Sequence, residues 1–450
     1  MPTALIILAA GQGTRMNSER PKVLHELAGA PLFAHALRAG ATLEPERVVL
    51  VVGHGGAAVK KAAHALDPDI LVAEQDQQLG TAHAVSQAAP ALAGFDGDAV
   101  VLYGDTPFIS SETLQKMRAA REKADLVMLA FEAAEPGRYG RMVVEGDRLV
   151  RIVEYKDATE AERAITLCNS GVVMAPAPLL LELAGAVSND NAAGEYYLTD
   201  IVALANQRAL RASIVTCDEA ETLGINTRAE LAAAEAAFQG RARAEALASG
   251  VAMAAPETVI FAYDTVVGRD AIIEPHVVFA PGVTVESGAR IRAFSHLEGC
   301  HVSRDAIVGP YARLRPGAEL AEGAKVGNFV EIKNAQISAG AKVNHLSYIG
   351  DAFVGEGANI GAGTVTCNYD GVMKHHTHIG ARAFIGTGTY LVAPVSVGDE
   401  AMTATGTVVT RNVEDGALAI GRAEMQVKPG LARRLFEKLK KRKEMGAQKP

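Results

Sequence analysis

A chain of 450 residues, 49% of them hydrophobic, has the material for two or three domains, each half able to bury a substantial core. Its formal charge of −8 argues against general nucleic-acid binding while leaving room for local positive pockets. No apolar run reaches membrane-spanning length, the start reads into a strand instead of a secretory signal, and Cys168, Cys217, Cys300 and Cys367 lack paired or metal-type spacing; a cytoplasmic chain with no membrane partner is expected.

In the first half, apolar strand candidates (Ala4–Leu8, Val48–Val52, Ala99–Tyr103 and Leu126–Phe131) alternate with Ala-rich helical stretches, which predicts an α/β domain with a mostly parallel sheet. Ligands of such sheets bind at the carboxyl ends of strands. The first strand ends in Leu8-Ala9-Ala10-Gly11-Gln-Gly13-Thr-Arg15-Met16, followed by Pro21-Lys22. A strand, a glycine loop and a helix start present N–H groups to a phosphate, and Arg15 and Lys22 add the cations that suit a triphosphate losing pyrophosphate. The third glycine of a dinucleotide fingerprint and the Gly-Lys-Ser/Thr of a P-loop are absent. The whole string resembles the signature of sugar-1-phosphate nucleotidylyltransferases. Tyr103-Gly104-Asp105 ends another strand, where a carboxylate could hold Mg²⁺ or cap the next helix. Gln75 and Gln78-Leu-Gly80-Thr81 form a loop able to read a base edge. An Ala/Glu/Arg-rich run from Arg228 to Ser249 reads as a long helix. The expected division is residues 1–226, a linker over 227–250, and 251–450.

From Val267 the grammar changes. An aliphatic residue or Phe returns every sixth position through Ile273, Phe279, Val285, Ile291 and Leu297, then after one-residue slips from Val302 to Ile332, from Ile337 to Ile349 and onward to Val397. A period of six scatters over three faces of an α-helix but suits short strands separated by tight corners. Small residues recur four places later at Ala289, Ala306, Ala324, Ala341 and Ala358, as an inner corner requires. The pattern predicts a β-helix of stacked coils.

Residues that violate the repeat carry the chemistry: Tyr311-Ala-Arg313-Leu-Arg315, Asn328-Phe-Val-Glu-Ile-Lys333 and Asn344-His345-Leu-Ser-Tyr348. Stacking at about 4.8 Å per coil would bring Arg315, Lys333 and Tyr348 into one phosphate-binding patch. His345, within it, can take the proton from an amine that attacks a thioester. The register breaks between Thr366 and His378, a loop holding His375, His376 and His378 that reads as polar surface before it reads as a metal site. Arg433 to Lys443 form a basic tail, read as a solvated helix with electrostatic docking as the minor alternative.

From about residue 3 to residue 425 the chain resembles the bifunctional N-acetylglucosamine-1-phosphate uridylyltransferase/glucosamine-1-phosphate N-acetyltransferase family. The resemblance implies a Rossmann-like nucleotidyltransferase domain joined by a long helix to a left-handed parallel β-helix of hexapeptide repeats, assembled as a homotrimer. It implies that acetyl-CoA acetylates glucosamine 1-phosphate and that UTP then uridylylates the product with Mg²⁺. By it, Leu8, Ala9, Ala10, Gly11, Lys22, Gln75, Gly80, Thr81, Tyr103, Gly104, Asp105, Gly140, Glu154, Asn169 and Asn226 fall on nucleotide and sugar positions. Asp105 and Asn226 match the Mg²⁺ ligands; Arg15 and Lys22 match the cations around the phosphates. Tyr139-Gly-Arg141, Asn169-Ser-Gly171 and Glu195-Tyr-Tyr-Leu-Thr-Asp200 stand at sugar-side motifs. His345 matches the general base, and Arg315, Lys333, Tyr348 and Asn359 the groups binding the amino-sugar phosphate. Asn368, Tyr369 and Lys374 match the continuing acceptor site, in a loop that reaches a neighbouring subunit. Ala362, Thr387, Thr405 and Arg422 match acetyl-CoA positions. Family members usually carry Ser at 387 and often Ala at 405, so the added bulk bears on thioester affinity. The alternative is a single-activity nucleotidylyltransferase with a structural or regulatory β-helix.

Overall fold

The computed structural model describes residues 2–446 apart from 54 and 147, so residue 1 and residues 447–450 of the expected domains lie outside the described residues. The chain divides into one compact unit reaching Glu245 and including Phe261–Asp264, and a second holding Ala246–Ile260 and the rest from Thr265.

The first unit is built on a nine-stranded sheet whose central order is Ala212–Cys217, Leu126–Glu132, Leu167–Pro176, Asp98–Tyr103, Thr3–Ala9, Arg47–Val52 and Leu71–Glu74. Thr3–Ala9 is buried along its whole length. Its alternate side chains feed two cores, Ala4, Ile6 and Leu8 on one face and Leu5, Ile7 and Ala9 on the other. Burial on both faces explains why this strand reads as a continuous apolar run without alternation. The chain proceeds outward from Thr3–Ala9 to Leu71–Glu74, then returns to the opposite side with Asp98–Tyr103. That reversal opens a crevice at the carboxyl ends of the two strands.

The sheet is less uniform than the predicted strands suggested. Leu167–Pro176 runs antiparallel to both neighbours and shifts register between Asn169 and Val173, and a hairpin of Arg141–Glu145 and Arg148–Val153 pairs with it. A shift of this kind frees local backbone from the ladder and re-aims side chains.

The predicted long helix runs Arg228–Ala248. Thr227 Oγ1 accepts from Glu230 N–H at 3.1 Å while Glu230 Oε2 accepts from Thr227 N–H at 2.9 Å, a reciprocal cap that fixes the helix start. Buried Gln239 holds Phe261 by accepting from its N–H at 2.9 Å and donating to its carbonyl at 2.7 Å.

The second unit is a left-handed parallel β-helix. Its inward side chains stack in three columns: Ile273, Ile291, Val308, Val326, Val343, Ile360 and Ile385; Val285, Val302, Leu320, Ile337, Val354, Ile379 and Val397; and Phe279, Leu297, Leu314, Ile332 and Ile349. All are 3% exposed or less. The third column continues through Thr366, a polar intrusion whose hydroxyl accepts from Gly350 N–H at 2.8 Å and lies 3.0 Å from the Gly350 carbonyl. A buried hydroxyl so paired avoids the penalty of an unsatisfied one.

Candidate active sites

The first constellation lies in the crevice of the sheet. Leu8, Ala9, Ala10, Gly11, Lys22, Gln75, Gly80, Thr81, Tyr103 and Asp105 line one cavity of about 310 Å³, with Glu195 at its edge. Gly11, Arg15, Lys22 and Asn226 line an adjoining one. Gly104 fixes the turn between them and the strand, its N–H donating to the Leu8 carbonyl at 2.9 Å.

The glycine loop has a steric reason. Gly13 sits at φ 64°, and a Cβ there would lie 2.5 Å from Lys22 Cβ. Its absence lets Lys22 pack under the loop at 9% exposure. The Lys22 ammonium donates to Asp105 Oδ2 and, at 3.0 Å, to Asn226 Oδ1; Arg15 donates to the same Asn226 oxygen at 3.0 Å. The backbones are tied as well, Ile225 N–H donating to the Asp105 carbonyl at 2.9 Å. Asp105 and Asn226 therefore present two oxygens to one position that already accepts a cationic group. Carboxylate and amide oxygens are the donors Mg²⁺ takes while drawing its other ligands from phosphates and water, so the residues fit that ion. Among the described residues no group of three or more His, Cys, Asp or Glu is arranged to hold a metal ion.

On the base side, buried Gln75 donates to the Gly80 carbonyl at 3.1 Å, Gln78 donates to the Ala10 carbonyl, and Thr81 Oγ1 accepts from Leu198 N–H at 2.9 Å. Gly80 at φ 122° has Tyr196 carbonyl oxygen 2.5 Å from where a Cβ would stand, so the two chain segments touch through backbone.

Burial pushes the Tyr103 phenol well above its usual range, with Asp105 and Glu154 adding to the effect, so it remains a neutral hydrogen-bonding group. Gly140, Glu154 and Asn169 lie outside the two cavities but join them through Tyr103. Asn169 Oδ1 accepts from Gly171 N–H at 3.1 Å, and Gly171 lies so close to the Tyr103 ring that a Cβ there would stand 2.6 Å from it. Burial raises the Glu154 carboxyl, opposed by the Thr199 hydroxyl donating at 3.2 Å and aided by Asp200, Asp157 and Glu195. Arg141 is buried as a clamp, donating to the carbonyls of Gly137, Tyr139 and Arg163 around Gly140.

The second constellation occupies one corner of the β-helix. Asn328 is in register with His345, and successive coils continue the position: Gly363 N–H donates to the His345 carbonyl, Gly388 N–H to Ala362, Gly406 N–H to Thr387, and Arg422 to Thr405. His345, Ala362, Thr387 and Thr405 thus form one file; the register of Thr403 with Ala419 carries it to Gly421, and the Arg422 guanidinium reaches its end. Asn328 Oδ1 lies 2.8 Å from His345 Nδ1. An amide oxygen only accepts, so Nδ1 carries the hydrogen and Nε2 keeps its lone pair. Sequence reasoning named the Asn328 segment but not this pairing, which the common corner position makes readable.

Beside the corner lie Arg315, Lys333 and Tyr348. The expected stacking needs correction: Tyr348 is in register with Glu331, while Lys333 faces Gly350. The one-residue slip between Ile332 and Ile337 shortens that coil, so a spacing of 15 is not a full turn. The Tyr348 ring nevertheless lies along the strand over Gly350, the residue in register with Lys333; a Cβ at 350 would stand 2.3 Å from the phenolic oxygen. Gly350→Ala is therefore expected to swing the phenol aside, lowering kcat/KM of the transfer expected at this corner by about ten- to a hundredfold with little loss of fold, as steady-state kinetics and thermal melting would register.

Sequence reading missed Asp351 altogether. It accepts from Lys333 Nζ at 2.8 Å, from Asn334 at 2.7 Å and from Asn368, which also approaches the Tyr348 hydroxyl at 3.4 Å. Burial alone would raise the Asp351 carboxyl, but the hydrogen bonds from Lys333, Asn334 and Asn368 together hold it below the usual carboxylate range. Its stabilisation is present in full above the ordinary carboxylate pKa and is lost as pH falls through the lowered one. Asp351→Asn should cost about 2 kcal/mol at neutral pH, because it strands a largely buried ammonium, and the difference in urea midpoint should shrink as the solution is acidified. Arg315 pairs with Glu331 at 2.8 Å. Asn359 lies on the other side of the corner, in register with Lys342 and Phe384.

The loop after Thr366 projects outward, with Tyr369, Val372 and Met373 exposed and Lys374 Nζ 5.5 Å from the Tyr369 ring centroid. Its histidines do not converge: His375 pairs with Asp370 at 2.7 Å, and His378 stacks on Phe353 at 4.9 Å.

A nucleotide crevice at a sheet reversal, together with a histidine corner on a β-helix, defines a sugar-nucleotidyltransferase class of protein fused to a hexapeptide-type solenoid. Residues 5–176 match the MobA-like NTP transferase domain. The protein named Bifunctional protein GlmU in Dinoroseobacter shibae is 68% identical over 444 residues, covering 98% of this chain and 99% of its own. Its namesake in Jannaschia sp. is 64% identical over 439 residues, covering 98% and 97%. The chain belongs to the GlmU family of bifunctional proteins. A solved UDP-glucose pyrophosphorylase complexed with UDP-glucose aligns with 54% of the chain and 100% of its own length at 18% identity and TM-score 0.42.

Proposed function

We infer that the protein is a bifunctional enzyme of UDP-N-acetylglucosamine synthesis. The β-helix transfers acetyl from acetyl-CoA to glucosamine 1-phosphate, and the sheet domain transfers UMP from UTP to the resulting N-acetylglucosamine 1-phosphate with release of pyrophosphate. The observation that carries this reading is the occurrence, in one chain, of two separate constellations with unlike chemistry: Lys22–Asp105–Asn226 and the His345 file.

In uridylyl transfer a sugar-phosphate oxygen attacks the α-phosphorus and pyrophosphate leaves in line. Positioning and charge neutralisation supply the acceleration, and no protein nucleophile is needed. Lys22 and Arg15 meet the phosphate charge; Asp105 and Asn226 would hold the Mg²⁺, which neutralises that charge further. Ala10, Gly11, Gln75, Gly80 and Thr81 take the nucleotide, and Tyr103, Gly140, Glu154 and Asn169 the sugar side.

In acetyl transfer His345 Nε2 takes a proton from the amino group as nitrogen attacks the thioester carbonyl and coenzyme A thiolate departs. Arg315, Lys333, Tyr348 and Asn359 hold the amino-sugar phosphate. Their acidic partners do not exhaust them, since a guanidinium carries five N–H donors and an ammonium three. Ala362, Thr387, Thr405 and Arg422 line the coenzyme path, where Gly363, Gly388 and Gly406 leave the corner without side chains.

A homotrimer through the β-helix is part of the proposal. His276, Phe294, Tyr311 and Phe329 stack face to face along the corner at 4.8, 4.9 and 5.3 Å, and the ladder stays largely exposed in one chain. A ridge of that kind suits burial against another copy. The projecting loop at Tyr369–Lys374 would complete the neighbour's acceptor site. UTP and acetyl-CoA as substrates and four unpaired cysteines support a cytoplasmic setting. The test is to assay both half-reactions in one preparation and to weigh the particle in solution. Absence of acetyl transfer would leave the single-activity alternative with a structural solenoid.

A further inference from the structure

The helix Leu431–Gly446 belongs to neither constellation. Leu431, Ala432, Leu435, Phe436 and Leu439 follow the spacing i, i+1, i+4, i+5, i+8, an apolar arc of roughly 140° at about 100° per residue. Leu431 is half-buried, but the rest of the apolar arc is open: Leu435 is 51% exposed, Phe436 65% and Leu439 58%. Lys438 and Lys440 border it on either side, Arg433, Arg434 and Lys441 fill the rest of the polar face against Glu437 and Glu444, and in the last turn Arg442 and Lys443 interrupt the arc itself. This cationic segment sits in a chain whose overall charge is −8. A helix of this length draws most of its stability from whatever covers its apolar face.

We propose that this helix docks on an anionic lipid surface, its apolar arc in the acyl boundary and its bordering lysines on headgroup phosphates. Charge complementarity selects that occupant. A second copy of the helix would bring like-charged faces together and bury Arg442 in a seam through Ala432, Leu435 and Leu439, whereas at a lipid surface its long stem lets the guanidinium reach the headgroup phosphates. A nucleic acid would satisfy the cations but leave Leu435, Phe436 and Leu439 in water. Low mean hydropathy with an apolar arc over residues 431–439 bordered by lysines is the composition of helices that lie in the interface plane, and Arg442 and Lys443 mark where that arc ends. The sequence-level expectation of no membrane partner rested on the lack of a long apolar run, which surface binding does not require.

The test is sedimentation of the full chain with phosphatidylcholine vesicles with and without phosphatidylglycerol. The anionic vesicles should retain it about tenfold or more over the neutral ones, and raising salt to roughly 0.5 M should release it. Leu435→Asp with Leu439→Asp should abolish retention, as should Lys438→Glu with Lys440→Glu and Lys441→Glu, while both transferase activities stay within about twofold. Equal retention on neutral vesicles, or retention that survives either set of substitutions, would overturn the proposal. A parent chain that ignores vesicles but loses oligomer mass on Leu435→Asp with Leu439→Asp would assign the face to copies of the chain instead. Capture of duplex DNA in preference to anionic vesicles would likewise overturn it.

Discussion

Replacing His345 with alanine should lower acetyl transfer by about 10²- to 10⁴-fold and leave uridylyl transfer unchanged in the same preparation. The side chain is exposed at a corner and is held by a hydrogen bond to Asn328, so its removal should cost little stability. What is lost is the acceptor on Nε2, whose direction and protonation are set by Asn328 on the coil below. Asn328→Ala should therefore show a smaller loss, about tenfold, falling on kcat more than on the KM for glucosamine 1-phosphate. The pair of variants separates a group that moves a proton from one that only holds it. A matching fall in uridylyl transfer would break the assignment of two independent sites.

Removing the Asp105 carboxylate should have the reciprocal effect. Asp105→Ala is expected to reduce uridylyl transfer by about 10³-fold or more, with acetyl transfer intact. A second consequence follows from packing. The Lys22 side chain is 10% exposed and depends on Asp105 and Asn226 for its charge, so the alanine variant should also lose about 2–3 kcal/mol in urea unfolding. Asp105→Asn keeps the shape and one acceptor oxygen, and should recover part of that stability without recovering activity. If stability and activity returned together, the residue would be structural and the ligand assignment would fall.

The aliphatic register from Ile273 to Val397 was legible because each repeat obeys one constraint, an inward side chain at a fixed place in a coil. The same regularity made the corner file of His345, Ala362, Thr387 and Thr405 predictable in principle. Pairings between coils were not legible where the register slips: Tyr348 was placed over Lys333 when it lies over Glu331. Asp351 left no signal, because an acidic residue near a corner looks like ordinary surface until its three donors are seen. In the sheet domain the strand-end motifs located Lys22, Asp105 and the Gln75 loop. The antiparallel strand carrying Asn169 escaped notice as a strand, since its register shift and Gly171 interrupt the alternation. Thr366 shows the converse, a polar residue inside the wall whose hydroxyl is satisfied by backbone and costs the pattern nothing but readability.

The file of residues at the His345 corner sets a length. Each coil advances about 4.8 Å, so the three steps from His345 through Ala362 and Thr387 to Thr405 span roughly 14 Å, and the Arg422 side chain lies at the far end. On the proposed acetyl-CoA path, the solenoid would act as a ruler laid beside its co-substrate, graduated in coils, with the reacting carbonyl at one mark and the far end of the carrier at another. Substitutions within a coil alter affinity at one mark. Inserting or deleting a whole coil between Ala362 and Thr405 would keep every local contact yet change the length of acyl carrier that fits, so in this protein substrate reach is a property of repeat number.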